Sequence, residues 1–327
     1  MTYRVLVSAP PFQSVIDQFA EEFSGNGLEP VLPTVRERLS ERELLGLVSD
    51  IDGAICGDDQ YTEKVIAAAP CLRVISKWGT GIDSIDLDAC HKRGIQVCNT
   101  PNAFSNPVAD SALAYILFLV RQLSRLNRDM QSSLWIRRPA PSLRECCVGL
   151  IGIGNIGQKV AQRLAGFGCR ILANDPRIPA QDFLDKYNVQ MVEKSILLTQ
   201  SDVISLHCDL NPSSFHIIDE EALSLMKSSA YVVNTSRGSL IDELALTTFL
   251  EAGQIAGAAM DVFEIEPLPS GSKLLKLDNV FLAPHNANSS PVAWEKIHRR
   301  TFENLIAHLL DKQTILNSGS SAAISVD

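Results

Sequence analysis

An apolar run that breaks into three closely spaced glycines and then becomes an amphipathic helix leaves few folds open, and VGLIGIGNIGQKVAQRL, from Val148 to Leu164, is such a segment. Its first residues read as a buried strand, and those after Gly157 read as a helix with one apolar face. Each glycine has a task that a side chain would obstruct. Gly152 permits the tight turn, Gly154 lets the backbone come close to a bound group, and Gly157 lets the helix pack on the strand. Asn155 and Ile156 complete the turn at the positive end of the helix, where amides attract phosphate. A second apolar run, Cys169–Ala173, ends in Asn174-Asp175 and puts an acid eighteen residues beyond Gly157. In a strand–helix–strand unit that is where the ribose of a dinucleotide is held. A carboxylate there accepts from both ribose hydroxyls and repels a 2′-phosphate, so the pattern predicts NAD over NADP. Arg177, two residues on, pulls the other way.

The same alternation runs through the chain. Apolar runs at Val5–Ser8, Gly53–Cys56 and Leu72–Ser76, with helical stretches at Ser14–Phe23 and Thr62–Ala69, form a first series. A second begins at Val148 and continues through Ile171–Ala173, Val203–His207, Tyr231–Asn234, Ala256–Met260 and Val280–Ala283. A chain of 327 residues, 46% hydrophobic, can fill about two cores. The expected architecture is α/β, with two doubly wound parallel sheets of Rossmann-like or flavodoxin-like type. Proline-containing turns at Asn99–Asn102 and Ala283–Asn286 set the expected boundaries. Residues 101–285 would form the dinucleotide domain, and residues 1–100 would join 286–327, including a helix from Pro291 to about Leu310, as the substrate domain. A cleft between them is the expected ligand site. A Ser/Ala-rich tail after Asn317 is expected to fray.

With 29 basic and 38 acidic residues the net charge is −9, which disfavours nucleic acid and anionic membrane as main partners. The first residues, Arg4–Pro10, read as a strand and not as a leader, and the apolar run Ala112–Val120 is too short to span a bilayer, so a cytoplasmic location is expected. The eight cysteines form no C-x-x-C pair, and several fall in apolar strands, so reduced thiols and no structural metal are predicted.

Polar groups end three of the later strands: Asn234-Thr235-Ser236-Arg237-Gly238, then Met260-Asp261-Val262-Phe263-Glu264-Ile265-Glu266-Pro267, then Ala283-Pro284-His285-Asn286. Carboxyl ends of parallel strands are where open sheets bind ligands. With the glycine turn, WGTGID at Trp78–Asp83 and NTPN at Asn99–Asn102, this order of motifs resembles the D-isomer-specific 2-hydroxyacid dehydrogenases over almost the whole chain. The resemblance implies an enzyme that interconverts a D-2-hydroxy acid and its 2-keto acid by hydride transfer to or from NAD. It implies three catalytic residues: Arg237 to grip the substrate carboxylate, His285 as acid/base, and Glu266 of the Glu-Pro dipeptide to hold the histidine. The chemistry agrees, since a guanidinium fork suits a planar carboxylate and imidazole titrates near neutrality. Glu264, two residues before Glu266, is a decoy that strand alternation alone does not exclude. On the cofactor side the resemblance implies contacts from Asp261 to the nicotinamide carboxamide, from Thr235 and from His207. Of the other histidines, His91, His298 and His308 read as helix-surface residues.

Substrate contacts are expected from Lys77, Trp78, Gly79, Thr80 and Gly81, whose amides would face the carboxylate, and from Asn102. WGTGID with NTPN looks most like the phosphoglycerate dehydrogenase branch, in a short form without a regulatory domain. That branch often carries an arginine after the strand that here reads Gly53–Cys56, whereas this chain continues Gly57-Asp58-Asp59. Hydroxypyruvate, glyoxylate or another small 2-keto acid therefore stands level with the phosphorylated substrate. A dinucleotide-sensing corepressor of the same fold is the alternative from another class. The family's Val-Ala-Glu is Val108-Ala109-Asp110 here, and Leu123–Pro141, with Leu134-Trp135-Ile136, lies where the family forms a dimer arm, so a homodimer is expected.

Overall fold

The structure, a computed structural model, describes residues 2–310. It divides into two compact units, one made of the chain up to Ala103 with the segment from Pro291, the other of Phe104–Ser290. The Ser/Ala-rich tail lies outside the described residues.

The first unit is built on five parallel strands: β1 (Tyr3–Val7), β2 (Leu28–Val31), β3 (Gly53–Cys56), β4 (Val74–Lys77) and β5 (Gln96–Cys98). They lie in the order β2-β1-β3-β4-β5, so the winding direction reverses between β1 and β3. The helix Pro291–Leu309 packs on this sheet, where Ser76 donates its hydroxyl to the Thr301 carbonyl at 2.7 Å. Gly53 makes room for it: a Cβ there would touch Leu305 at 3.0 Å. The helix expected over Ser14–Phe23 is broken into a 3-10 turn at Ile16–Phe19 and a short helix at Ala20–Gly25. The break lets Phe12, Phe19 and Phe23 all reach one aromatic cluster, with Phe302 beside Phe19 and Phe23 at ring separations of 5.1 and 5.0 Å.

The second unit holds seven parallel strands: β6 (Cys147–Ile151), β7 (Arg170–Asn174), β8 (Val189–Met191), β9 (Val203–Leu206), β10 (Tyr231–Asn234), β11 (Gly257–Met260) and β12 (Val280–Leu282). Their order, β12-β11-β10-β9-β6-β7-β8, reverses between β6 and β9. Both faces are covered, one by the helices Lys194–Gln200, Glu220–Leu225 and Glu243–Glu251, the other by Ser105–Val120 and Asn155–Ala165. That coverage explains why the central strands are apolar throughout rather than alternating. The run Ala112–Val120 belongs to the helix Ser105–Val120, which buries Ala112, Ile116, Leu119 and Val120. No helix among the described residues is long and apolar enough to cross a membrane. All eight cysteines are free.

Candidate active site

The glycine turn lies at the reversal point of the seven-stranded sheet, at the carboxyl end of β6. Gly152 has φ +93°, a conformation that L side chains rarely adopt, and a Cβ there would run into the His207–Cys208 peptide at the end of β9. Gly157 faces the Gly152 carbonyl so closely that a Cβ would overlap it. Gly154 differs, because a Cβ would meet nothing within 4 Å, leaving the amino end of the helix Asn155–Ala165 open to a bound group. Gly157→Ala should therefore destabilise the fold by about 1–3 kcal/mol through overpacking. A urea midpoint unchanged from wild type would contradict that contact.

Polar atoms around this turn fit a dinucleotide. Asp175, at the end of β7, accepts from the Ile153 amide (2.8 Å) and the Arg177 amide (2.7 Å), which fixes its carboxylate beside the glycine turn. His207 is buried with Nε2 2.9 Å from the Ser205 hydroxyl, while its Nδ1 is buried without a partner. Burial pushes this ring down to about 3, so it is neutral at physiological pH. Thr235 Oγ1 is likewise buried and unpartnered. One orphaned polar atom against the glycine turn, and a second at the end of β10 two strands away, are what a polar ligand would satisfy.

At the ends of β10, β11 and β12 three loops are tied to one another. After β10, the Asn234 side chain donates to the Arg237 carbonyl (2.8 Å) and accepts from the Ser236 amide (3.0 Å), forcing the tight N-T-S-R-G turn that presents Arg237. Gly238 then packs against the Phe263–Glu264 backbone with no space for a Cβ. Glu266 accepts from the Phe263 amide through Oε1 (2.9 Å) and faces His285 Nδ1 through Oε2 at 3.0 Å. Glu264 instead points to His216, at 2.7 Å, which separates the two acids that strand alternation had left equivalent. His285 has φ +49°. Its loop is held by Asp261, which has no exposed surface and accepts the Asn286 amide (3.0 Å), the Ala287 amide (2.8 Å) and the Tyr115 hydroxyl (3.3 Å). The His285 amide reaches the Asp261 carbonyl at 2.7 Å. The carboxylate of Asp261 thus serves the loop that carries His285, a role its place after β11 did not disclose.

In the first unit the loops after β4 and β5 are zipped together. Thr100 donates its amide to the Gly79 carbonyl (2.9 Å), Thr80 its hydroxyl to the Thr100 carbonyl (3.1 Å), and Asn99 its side chain to the Thr80 carbonyl (2.6 Å). The Trp78 amide is spent on the Cys56 carbonyl, whereas among the described residues no backbone carbonyl takes the amides of Gly79, Thr80 and Gly81. Asn102 is exposed, with φ +63°. Lys77, expected to add charge, is buried and paired with Asp58 at 2.8 Å. Asp59 turns inward to the Ser8 hydroxyl (2.6 Å) and the Leu39 and Gly57 amides. His298 corrects its surface reading: it is buried, and its Nδ1 accepts the Trp78 indole N–H at 3.0 Å. The signal was present in its spacing from Thr301, Phe302 and Leu305, the buried stripe of the helix. Asp110, the shortened acid, accepts from Arg163 at 2.6 Å.

Residues 113–287 match the family description "D-isomer specific 2-hydroxyacid dehydrogenase, NAD binding domain". A glyoxylate reductase of Korarchaeum cryptofilum is 38% identical, with 82% of each chain covered. A hydroxypyruvate reductase of Thermotoga maritima is 35% identical over 94% of this chain and 98% of its own. A D-3-phosphoglycerate dehydrogenase of Methanocaldococcus jannaschii is 38% identical over 78% of this chain, which spans 49% of that protein. Among solved structures, a D-lactate dehydrogenase of Aquifex aeolicus, complexed with NAD and lactic acid, superposes with a TM-score of 0.85 at 28% identity, covering 95% of this chain and 97% of that one. Parallel sheets of five and seven strands, the glycine turn at the reversal point and these matches agree: the chain belongs to the D-isomer-specific 2-hydroxyacid dehydrogenases, oxidoreductases acting on the CH–OH group of their donors.

Proposed function

We propose that this chain is an NAD-dependent reductase of small unphosphorylated 2-keto acids, hydroxypyruvate or glyoxylate, forming the D-2-hydroxy acid. The observation that carries the choice of acid is the Lys77–Asp58 pair, 2.8 Å apart. A phosphate-bearing substrate calls for an uncompensated cation, and the arginine that phosphoglycerate dehydrogenases often place after this strand is replaced by an acid that neutralises the nearest lysine. The reductases that match this chain nearly end to end support the same reading, so the phosphoglycerate branch suggested by WGTGID and NTPN gives way to it.

Bound nicotinamide supplies the hydride for C2 of the keto acid. Arg237 grips the substrate carboxylate and polarises the C2 oxygen, and the amides of Gly79, Thr80 and Gly81, with Trp78 and Asn102, are the proposed substrate contacts. Because a carboxylate only accepts, Glu266 fixes the N–H of His285 on Nδ1 and leaves Nε2 to carry the mobile proton. Protonated Nε2 would give its proton to the C2 oxygen of the keto acid, and in the reverse direction neutral Nε2 would take the hydroxyl proton. Glu266 stabilises the imidazolium between these states. Asn155, Ile156 and the three glycines are the proposed phosphate cradle, and His207 and Thr235 the proposed partners of further polar groups of the cofactor.

The deciding experiment follows NADH and NADPH oxidation side by side with glyoxylate, hydroxypyruvate, phosphohydroxypyruvate and pyruvate. Highest kcat/KM with phosphohydroxypyruvate would overturn the choice of acid, and no turnover with any acid while NADH still binds would overturn the reaction. Asp175→Ala should narrow the NADH-over-NADPH ratio of kcat/KM by about tenfold, equivalent to ~1.4 kcal/mol. An unchanged ratio would remove Asp175 from the ribose.

A homodimer is proposed on the segment after the helix Leu123–Gln131, where Leu134, Trp135 and Ile136 are exposed, Trp135 by 79%. Sedimentation of the Trp135→Glu variant against wild type tests it.

A further inference from the structure

Besides the pair Glu266–His285, the second unit holds one more histidine–carboxylate couple, and its partners lie on the loops that carry the proposed catalytic groups. His216 Nε2 is 2.7 Å from Glu264 Oε1, two residues before Glu266. The His216 amide donates to the Ser239 carbonyl at 2.9 Å, two residues after Arg237. Next to it, the Ile218 amide reaches the Leu240 carbonyl (3.1 Å) and the Asp242 amide reaches the Ile218 carbonyl (3.0 Å), so the segment from β9 runs as a short ribbon beside the Arg237 turn. Glu264 is also tied to Glu243, whose amide donates to the same Oε1 (3.4 Å) and whose Oε2 accepts the Glu264 amide (3.2 Å). The ring of His216 is stacked on Phe215 at 4.0 Å, and its backbone has φ +48°.

We propose that His216 and Glu264 are positioning residues for the acid/base pair, a brace that fixes Phe263–Glu266 against the turn bearing Arg237. The path is continuous: from Ser239 to His216 to Glu264, from the Phe263 amide to Glu266 Oε1, and from Glu266 Oε2 to His285 Nδ1. Three observations point to a brace rather than a surface pair. Gly238 seats the Phe263–Glu264 backbone against the Arg237 turn with no tolerance for a Cβ, so any shift of one loop moves the other. A histidine held at positive φ sits in a sparsely populated conformation, which needs compensating contacts to persist. Glu243, the remaining acid of the cluster, has its carboxyl raised by burial and by the negative charges of Glu264 and Glu266, so a cationic or hydrogen-bond-donating partner for Glu264 relieves a crowded group of acids. Charged and titratable groups on the loops that carry the acid/base pair include Glu243, Glu264, Asp261, His216 and Arg237.

This inference rests on the proposed roles of Glu266 and His285, and the experiment separates the two. Keto-acid reduction is measured as kcat, KM for each substrate and the pH profile of kcat/KM in wild type, His216→Asn, Glu264→Ala, Glu264→Gln and His285→Ala. Asparagine accepts positive φ, so His216→Asn removes the ring and keeps the backbone. The expected result for His216→Asn and Glu264→Ala is a fall in kcat of about tenfold from misplacement of the acid/base pair. KM for NADH should hold, and the limb of the profile governed by the histidine should move to lower pH as Glu266 loosens its hold on the imidazolium. Glu264→Gln, which keeps an acceptor for the ring N–H, is expected to recover most of the loss in Glu264→Ala, and the double variant His216→Asn/Glu264→Ala should be no worse than either single one. If both single variants keep wild-type kcat and pH profile while His285→Ala is inactive, the brace is overturned and the site stands. If His285→Ala still turns over, it is the reading of the site that fails.

Discussion

Replacing His285 with alanine is expected to lower turnover by about 10²–10⁴-fold, the span that a positioned general acid contributes. NADH affinity should stay near wild type. The separation follows from the sheet: His285 enters at the end of β12, at one edge, whereas the glycine cradle sits on β6, with three strands between the two. In the proposed mechanism reduction draws on the imidazolium, so kcat/KM for the keto acid should fall as pH rises through the pKa of His285, and oxidation of the hydroxy acid should show the opposite limb. Glu266→Gln keeps an oxygen opposite Nδ1 but removes the charge that favours the imidazolium, and the reductive profile should shift to lower pH. Stopped-flow turnover with fluorescence titration of NADH checks both points. Equal loss of binding and turnover in His285→Ala would remove the histidine from the chemistry.

Asp261→Ala is expected to harm stability and activity together. The carboxylate is fully buried and meets the Asn286 and Ala287 amides and the Tyr115 hydroxyl. Alanine would leave those donors in an apolar interior without acceptors, at about 1–3 kcal/mol for each one that water does not reach. The loop relaxes, and since a misplacement of about 1 Å can cost on the order of 10²-fold in rate, turnover should fall by a comparable factor. Urea unfolding with hydrogen exchange at Asn286 and Ala287 reads the structural part. Wild-type stability and unchanged protection at those two amides would refute the anchoring role.

The sequence disclosed the central strands well and three of the four edge strands badly, for a physical reason. Gly53–Cys56 and Tyr231–Asn234 are buried on both faces, so their runs are apolar and their bounds are legible. β2, β5 and β8 went unseen because each lies at or beside an edge, spans three or four residues and carries polar or proline positions such as Glu29, Pro30, Gln96 and Gln190. The loops of the candidate site were legible because a motif is local: glycines at 152, 154 and 157 announce their turn by spacing. Partners distant in sequence were not. Nothing near Glu264 points to His216, 48 positions away, and nothing near Asp261 reveals that it will hold Asn286 and Ala287. Lys77 is the same case in reverse: its charge was visible, and the aspartate that consumes it, 19 positions earlier, could be assigned only in three dimensions.

The edge position of β12 also sets an order of failure. This strand has three residues, all only partly buried, and pairs with β11 alone, while β6 is flanked on both sides and fully buried. Edge segments open with smaller free energies than central ones. On warming or in mild denaturant the chain should therefore cease to turn over while its nucleotide cradle is still folded, passing through a population that holds cofactor and does no chemistry.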